Sequence, residues 1–240
     1  MSRLHNYSII IPVYNSADTI EQIVRSYYRF SKTLPDCEFI IAEDGSVDGT
    51  KSILSRLKKE LSFTLVSGRE RKGYVQAVKD ALKIAKGRII LFSDAGGHYA
   101  ADFSPMLKFV KSYDIVSGRK APRKDPFARI LYSNVYNTLV SVLFLHVFRD
   151  IDSGFKVYRK EVIDAVLPEC VLFKDCISTE ILLRAVAKGY KVKEVPVRHI
   201  LRNIKEVKTF KLRKLPSIFS RLIISLVLLR LERKHPRKVG

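Results

Sequence analysis

An alternation of two periods limits the folds open to this chain. Ser8-Ile9-Ile10-Ile11-Pro12-Val13 is an apolar run of strand length, and Pro12, with no N–H for a ladder bond, belongs at its end. Ile20, Ile23, Val24 and Tyr27 then recur at helical spacing, with Ser16 as candidate cap of a helix over about 17–30. The pattern returns as Glu38-Phe39-Ile40-Ile41-Ala42 before a helix with Ile53, Leu54 and Leu57, capped by Asp48 or Thr50. It returns again as Phe63-Thr64-Leu65-Val66 before a helix with Val75, Val78, Ala81, Leu82 and Ala85, where Gly87 stands as the helix terminator. Arg88-Ile89-Ile90-Leu91-Phe92 is a fourth strand. Such alternation predicts an α/β fold of parallel strands joined by right-handed crossovers, with the ends of the first, second and fourth strands on one edge of the sheet.

Those ends carry chemistry. The first strand runs into Tyr14, the second into Glu43-Asp44-Gly45-Ser46-Val47-Asp48-Gly49-Thr50, and the fourth into Ser93-Asp94-Ala95-Gly96-Gly97-His98. Ligands of open α/β sheets bind outside the carboxyl ends of the strands. Asp94, with His98 four residues on, is a candidate pair for a divalent cation held against a phosphorylated ligand. One acidic strand end alone is equally a capped turn on a core strand. Several on one edge, beside the basic loop Gly68-Arg69-Glu70-Arg71-Lys72-Gly73, favour a site that grips a nucleotide and a metal.

The chain has 240 residues, and its 44 Lys+Arg against 24 Asp+Glu give a net charge of +20. That excess suits a polyanionic partner: nucleic acid, an anionic membrane surface or a phosphorylated substrate. A nucleic-acid partner would leave the clustered acidic strand ends without purpose, so none is expected. A hydrophobic content of 47% argues against global disorder. Cys37, Cys170 and Cys176 form neither a CxxC pair nor a disulfide-rich pattern, which fits a reducing cytoplasm. The first residues do not read as a signal peptide, and no run reaches the roughly 18 apolar residues of a spanning helix.

Ile11-Pro12-Val13-Tyr14-Asn15, the Glu43–Thr50 motif, Lys72-Gly73 before a helix and the strand ending at Asp94 together resemble a family 2 glycosyltransferase with the GT-A fold. The second half narrows the resemblance to polyprenyl-phosphate glycosyltransferases, dolichyl-phosphate mannose synthases among them. Asp114-Ile115-Val116-Ser117-Gly118-Arg119, Arg129 and Ser133 on an apolar helix reaching about Phe148, and Asp150-Ile151-Asp152-Ser153-Gly154-Phe155 carry it, with Ser178–Ala185, Gly189–Val197, Arg202 and Lys208. It covers about 7–210, so 1–210 is expected to be the catalytic domain.

The resemblance implies an inverting transfer of a sugar from a UDP- or GDP-sugar to a polyprenyl phosphate. It places Pro12, Tyr14, Ala42 and Asp44 around the nucleoside, and Lys72, Asp94 and Ala95 also on the donor side. Two departures stand out. Gly96 replaces the second aspartate of the family's metal motif. Either Asp94 and His98 share the ion with the diphosphate, which leans towards Mn²⁺ over Mg²⁺, or the basic loop carries the diphosphate charge. Further on, Lys205 and Val207 replace an expected glycine and serine. An ionised lipid phosphate attacks without a general base, and Arg119, Arg129, Ser133, Arg202 and Lys208 are candidates to hold it. A hydroxyl acceptor would need a base, for which Glu180 is the candidate. A catalytically silent nucleotide-binding homologue is the reading from another class.

Leu222-Ile223-Ile224-Ser225-Leu226-Val227-Leu228-Leu229 has basic residues on both sides, Lys205 to Lys214 before it and Arg230 to Lys238 after it. The expectation is that 211–240 forms a basic amphipathic tail at an anionic membrane interface, on the cytoplasmic face. A helix packed on the domain is the alternative.

Overall fold

A computed structural model describes residues 5–94, 97–200 and 215–234. Seven strands form one sheet in the order β3-β2-β1-β4-β6-β5-β7. They are β1 (Tyr7–Val13), β2 (Cys37–Glu43), β3 (Thr64–Ser67), β4 (Ile89–Ser93), β5 (Ile115–Lys120), β6 (Phe155–Arg159) and β7 (Val192–Val197). β1 to β4 pair in parallel through the crossover helices α1 (Ile20–Ser31), α2 (Thr50–Glu60) and α3 (Tyr74–Ile84), as the alternation predicts. β6 is different. It arrives late in the chain and inserts antiparallel between β4 and β5. α4 (Phe103–Leu107) precedes β5, α5 (Phe127–Phe144) and α6 (Lys160–Val166) flank β6, and α7 (Ile177–Ala187) precedes β7.

β1, β2 and β4 bury both faces, which is why they read as apolar runs. Ile10, Ile40, Ile90 and Tyr158 pack under α3, α5, α6 and α7. Ile9, Ile11, Ile41 and Val157 pack under α1, α2 and α4. Pro12 stands opposite Ala42 in the β2 register, one residue before the end of β1. The Val13 carbonyl accepts from the Asp44 N–H on the β2 side (2.9 Å), so Pro12 turns its nitrogen to the β4 side, where pairing has stopped at Ile10.

Three boundaries differ from the sequence reading. α1 starts at Ile20 because the Ser16 carbonyl, rather than its side chain, takes the first N–H groups, from Thr19 (3.0 Å) and Ile20 (2.8 Å). α5 stops at Phe144, where Leu145 turns left-handed at φ 54°, instead of reaching Phe148. Gly87 does not terminate α3, which ends as Ala85 turns extended. It lies against β1, where a Cβ would stand 2.4 Å from the Ser8 nitrogen.

The C-terminal helix α8 (Leu215–Lys234) is not a detached tail. Leu226 and Leu229 are fully buried in the α5–α7 core, and Ser225 Oγ donates to the Leu172 carbonyl (3.1 Å). Arg221 pairs with Asp175, and Glu232 pairs with Arg184. The apolar run of α8 faces both ways, since Ile224, Val227, Leu228 and Leu231 remain exposed on its other side. Among the described residues, no helix is long and apolar enough to cross a membrane.

Candidate active site

The Glu43–Thr50 motif divides into scaffold and site. Glu43 is buried and accepts from the Ser46 N–H and from Ser67 Oγ (2.8 Å). Asp48 accepts from the Thr50 N–H at the start of α2 (3.0 Å) and from the Ala17 N–H ahead of α1 (3.2 Å), tying the two helices together. Gly45 takes φ +67° beneath the basic loop, and a Cβ there would stand 2.4 Å from the Arg71 nitrogen. Only glycine permits that approach.

Asp44 is the member left for a ligand. Its Oδ1 accepts from the Lys72 N–H (2.8 Å) and the Gly73 N–H (2.9 Å), while its buried Oδ2 has no hydrogen-bond partner. Arg71 places its guanidinium 4.0 Å from the centre of the Tyr14 ring and 3.6 Å from Asp44 Oδ2. A flat cationic group thus fills the space between an aromatic face and a carboxylate. Ala42, Asp44, Ser67, Gly68, Lys72 and Ala77 line a pocket at this point. Lys72 contributes its backbone here. Its ammonium pairs with Asp80 (3.0 Å), which lines the same pocket.

Asp94 lies at the end of β4, where its N–H donates to the Gly154 carbonyl (2.8 Å). Gly154 packs directly on the carboxyl group: a Cβ there would stand 2.3 Å from Asp94 Cγ. His98 is 3% exposed and stacked on Phe155, with ring centroids 4.6 Å apart. Neither of its ring nitrogens has a hydrogen-bond partner among the described residues. Burial pulls its pKa below the ordinary histidine range, against the opposing pull of the Asp94 carboxylate. The imidazole is therefore neutral near pH 7, with a lone pair to offer. The turn carrying it is stitched to the segment after β7: Ile200 N–H donates to the Gly97 carbonyl (3.0 Å), and Arg198 pairs with Asp102. A half-buried carboxylate and a neutral imidazole without a hydrogen-bond partner suit a cation completed by ligand oxygens. No cluster of three or more His, Cys, Asp or Glu is poised for a metal among the described residues.

The acceptor-side expectations change most. Arg119 and Lys120 are neighbours on β5, so they face opposite sides of the sheet. Arg119 lines a cleft with His146, Arg149 and Lys193, away from Asp94. Lys120 is the cation on the Asp94 side. Its N–H reaches Asp150 (3.4 Å), and its charge helps hold down the pKa of both His98 and His199. Arg129 and Ser133 do come together, through residues the sequence reading missed. Arg123 donates to Ser133 Oγ (2.7 Å) and to Asp125 (2.8 Å), Arg129 pairs with Asp125 (3.4 Å), and the Lys124 N–H donates to His199 Nδ1 (3.1 Å). Burial holds His199 down to about 4, so it too is neutral. The run Lys120, Arg123, Lys124 and Arg129 was a signal in plain sight. Arg202 and Lys208, with Lys205, Val207 and Ala95, lie outside the described residues.

Glu180 is not placed to act as a base. It is buried, and its carboxylate accepts backbone N–H groups of Val171 (3.0 Å), Leu172 (3.2 Å) and Phe173 (3.0 Å), plus Arg184 (2.9 Å). It holds the 171–173 loop. Glu180→Ala strands those donors and Arg184, and is expected to destabilise the protein by about 3–5 kcal/mol in urea unfolding. Activity lost at unchanged stability would restore the catalytic role.

The family model described as Glycosyl transferase family 2 matches residues 8–167, and the chain belongs to that family. It is 26% identical over 212 residues to undecaprenyl-phosphate 4-deoxy-4-formamido-L-arabinose transferase of Enterobacter sp. (strain 638), covering 85% of this chain and 63% of the relative. It is 31% identical over 205 residues to glycosyltransferase AglD of Haloferax volcanii, covering 79% of this chain and 32% of the relative. Dolichyl-phosphate beta-glucosyltransferase ALG5A of Trichomonas vaginalis is 26% identical over 208 residues, with 79% and 64% covered. The chain thus spans less than two thirds of the length of each. Glucosyl-3-phosphoglycerate synthase from Mycobacterium tuberculosis, in complex with Mn²⁺, UDP and glucosyl-3-phosphoglycerate, superposes with a TM-score of 0.71 at 18% identity, over 94% of this chain and 80% of that one. That similarity shows the shared GT-A fold.

Proposed function

We propose that the protein transfers a sugar, with inversion, from a nucleoside-diphosphate sugar to a polyprenyl phosphate. The observation that carries this reading is one sheet edge that holds, side by side, a carboxylate with a free oxygen, a carboxylate–imidazole pair and a cationic group. Asp44 Oδ2 is the acceptor for a base N–H, and the base takes the place Arg71 now fills against Tyr14. Asp94 and His98 would hold a divalent cation, which when bound neutralises charge on the departing diphosphate. Mn²⁺ stands with UDP in the similar solved structure, and a mixed nitrogen and oxygen set favours it over Mg²⁺. Lys120, Arg123 and Arg129, with Ser133, hold the acceptor phosphate so that its oxygen faces the anomeric carbon. The sequence resemblance adds Arg202 and Lys208 as acceptor-phosphate candidates. The phosphate is already an anion, so attack needs no general base. The relatives named for undecaprenyl-phosphate and dolichyl-phosphate transfers support this acceptor class.

The exposed apolar residues fit a lipid partner. Phe127, Leu131, Val135 and Val142 fall on one stripe of α5, which packs beside α8 and its exposed Ile224, Val227, Leu228 and Leu231. Exposed apolar helix faces with basic neighbours bind anionic interfaces, so the protein works as a peripheral enzyme on a membrane face.

One observation favours a hydroxyl acceptor as the second reading. Asp152 is open to solvent and accepts from the Cys176 thiol, and its pKa is pushed up by desolvation, as suits a general base. Purified protein given UDP- and GDP-sugars and a short polyprenyl phosphate is expected to form a lipid-linked sugar that EDTA abolishes. Transfer only to hydroxyl acceptors, lost in Asp152→Asn, would establish the second reading. Nucleotide binding with no transfer to either acceptor would identify a silent homologue.

A further inference from the structure

The outer edge of the sheet carries a cleft outside the machinery described above. β7 is that edge, paired to β5, and the loop after α5 folds over it. The cleft measures about 360 Å³, and its lining includes Tyr113, Arg119, His146, Arg149, Lys193 and Glu194. That volume is in the range of small-molecule sites. β5 itself divides it from the Asp94 side, since Arg119 turns into the cleft and Lys120 turns the other way.

Its charge is unbalanced. Three permanent cations and an imidazole face one carboxylate, and that carboxylate is already engaged. Glu194 accepts the N–H groups of Arg149 (3.1 Å) and Asp150 (2.9 Å), holding the loop onto β7. Elsewhere Arg123, Arg129, Arg159, Arg184 and Arg198 each pair with a carboxylate. Among the described residues Arg119, Arg149 and Lys193 pair with none. Arg119 is half-buried. The ammonium of Lys193 is steadied over the Tyr113 ring at 5.7 Å. Two arginine forks and an ammonium around one cavity match the oxygens of a phosphate group. The rim includes apolar Val147, which is 79% exposed.

We propose that this cleft is a second, non-catalytic anion site that binds a phosphate-bearing ligand. It stands independently of the donor and acceptor reading. A lipid headgroup and a soluble phosphate share the recognising chemistry, and Val147 on the rim adds apolar contact for the former. The test uses the full chain and two probes, inorganic phosphate and phosphatidylcholine vesicles with or without phosphatidic acid. Phosphate is expected to shift the His146 ring resonances saturably in NMR. An Arg119→Gln, Arg149→Gln double variant weakens that binding about tenfold or more, while UDP binding through Asp44 is kept. Phosphatidic acid-dependent co-sedimentation that the double variant loses assigns the lipid source. Equal co-sedimentation with a lost phosphate response assigns a soluble one. A variant that also loses UDP binding is misfolded, and the wild-type His146 response then decides. His146 resonances unmoved by phosphate, or a double variant with wild-type affinity, would overturn the site and place any bound anion at the Arg123–Arg129 group.

Discussion

Asp94→Asn is expected to lower the rate of sugar transfer by about 10²–10³-fold, the scale set by removing one preorganised group that stabilises developing charge. The substitution is nearly isosteric, so the packing of Gly154 on this side chain survives and the unfolding midpoint should stay at the wild-type value. The rate alone would not separate a lost cation ligand from a shifted loop. UDP-dependent Mn²⁺ binding separates them, because it is read without turnover. Asp94 contributes the carboxylate of a pair whose other member is a neutral imidazole, so Asn leaves the ion with no anionic protein ligand from this pair. Loss of Mn²⁺ binding with UDP binding retained is the expected outcome. Near-normal transfer would remove Asp94 from the reaction, and would move the diphosphate charge to the basic loop around Arg71.

Gly154→Ala is expected to do comparable damage without touching a functional group. The new methyl would stand 2.3 Å from Asp94 Cγ and 2.4 Å from its Oδ2. The carboxyl group cannot remain in place, and the Asp94 N–H bond to the Gly154 carbonyl limits how far the two strands can part. A displacement of about 1 Å at a catalytic group costs on the order of 10²-fold in rate. Overpacking should add about 1–3 kcal/mol of destabilisation. UDP affinity in the absence of metal rests on Asp44 and should not change. A variant with full transfer activity would show that Asp94 tolerates displacement, and so does not act through a fixed position.

Much of this site was legible in the sequence because parallel strands oblige it to be. A run of β-branched residues followed by Asp94, or by Asp44, fixes which end of the strand meets the ligand, and crossovers put those ends on one edge. Other parts were not legible. Arg119 and Lys120 differ by one position, and which of them faces the site depends on the pleat of β5 relative to β6, a non-local fact. The role of Glu180 required knowing that loop 171–173 folds back over its helix. An α8 run that is apolar all round reads equally as a membrane tail or a core helix, and Leu226 and Leu229 show that one helix does the packing with one face only.

The late insertion of β6 has a consequence for how the protein is made. Donor-side strands β1 to β4 are adjacent in sequence and pair through local crossovers. The residue that positions Asp94, Gly154, lies 60 positions further on, directly before β6, which must enter between β4 and the β5 strand made before it. A nascent chain can therefore assemble the nucleotide pocket well before the metal-side carboxylate is locked, since long-range pairings form slowly and last. On the proposed function, order of synthesis would separate binding from turnover, the nucleotide side being complete before the acceptor side has folded.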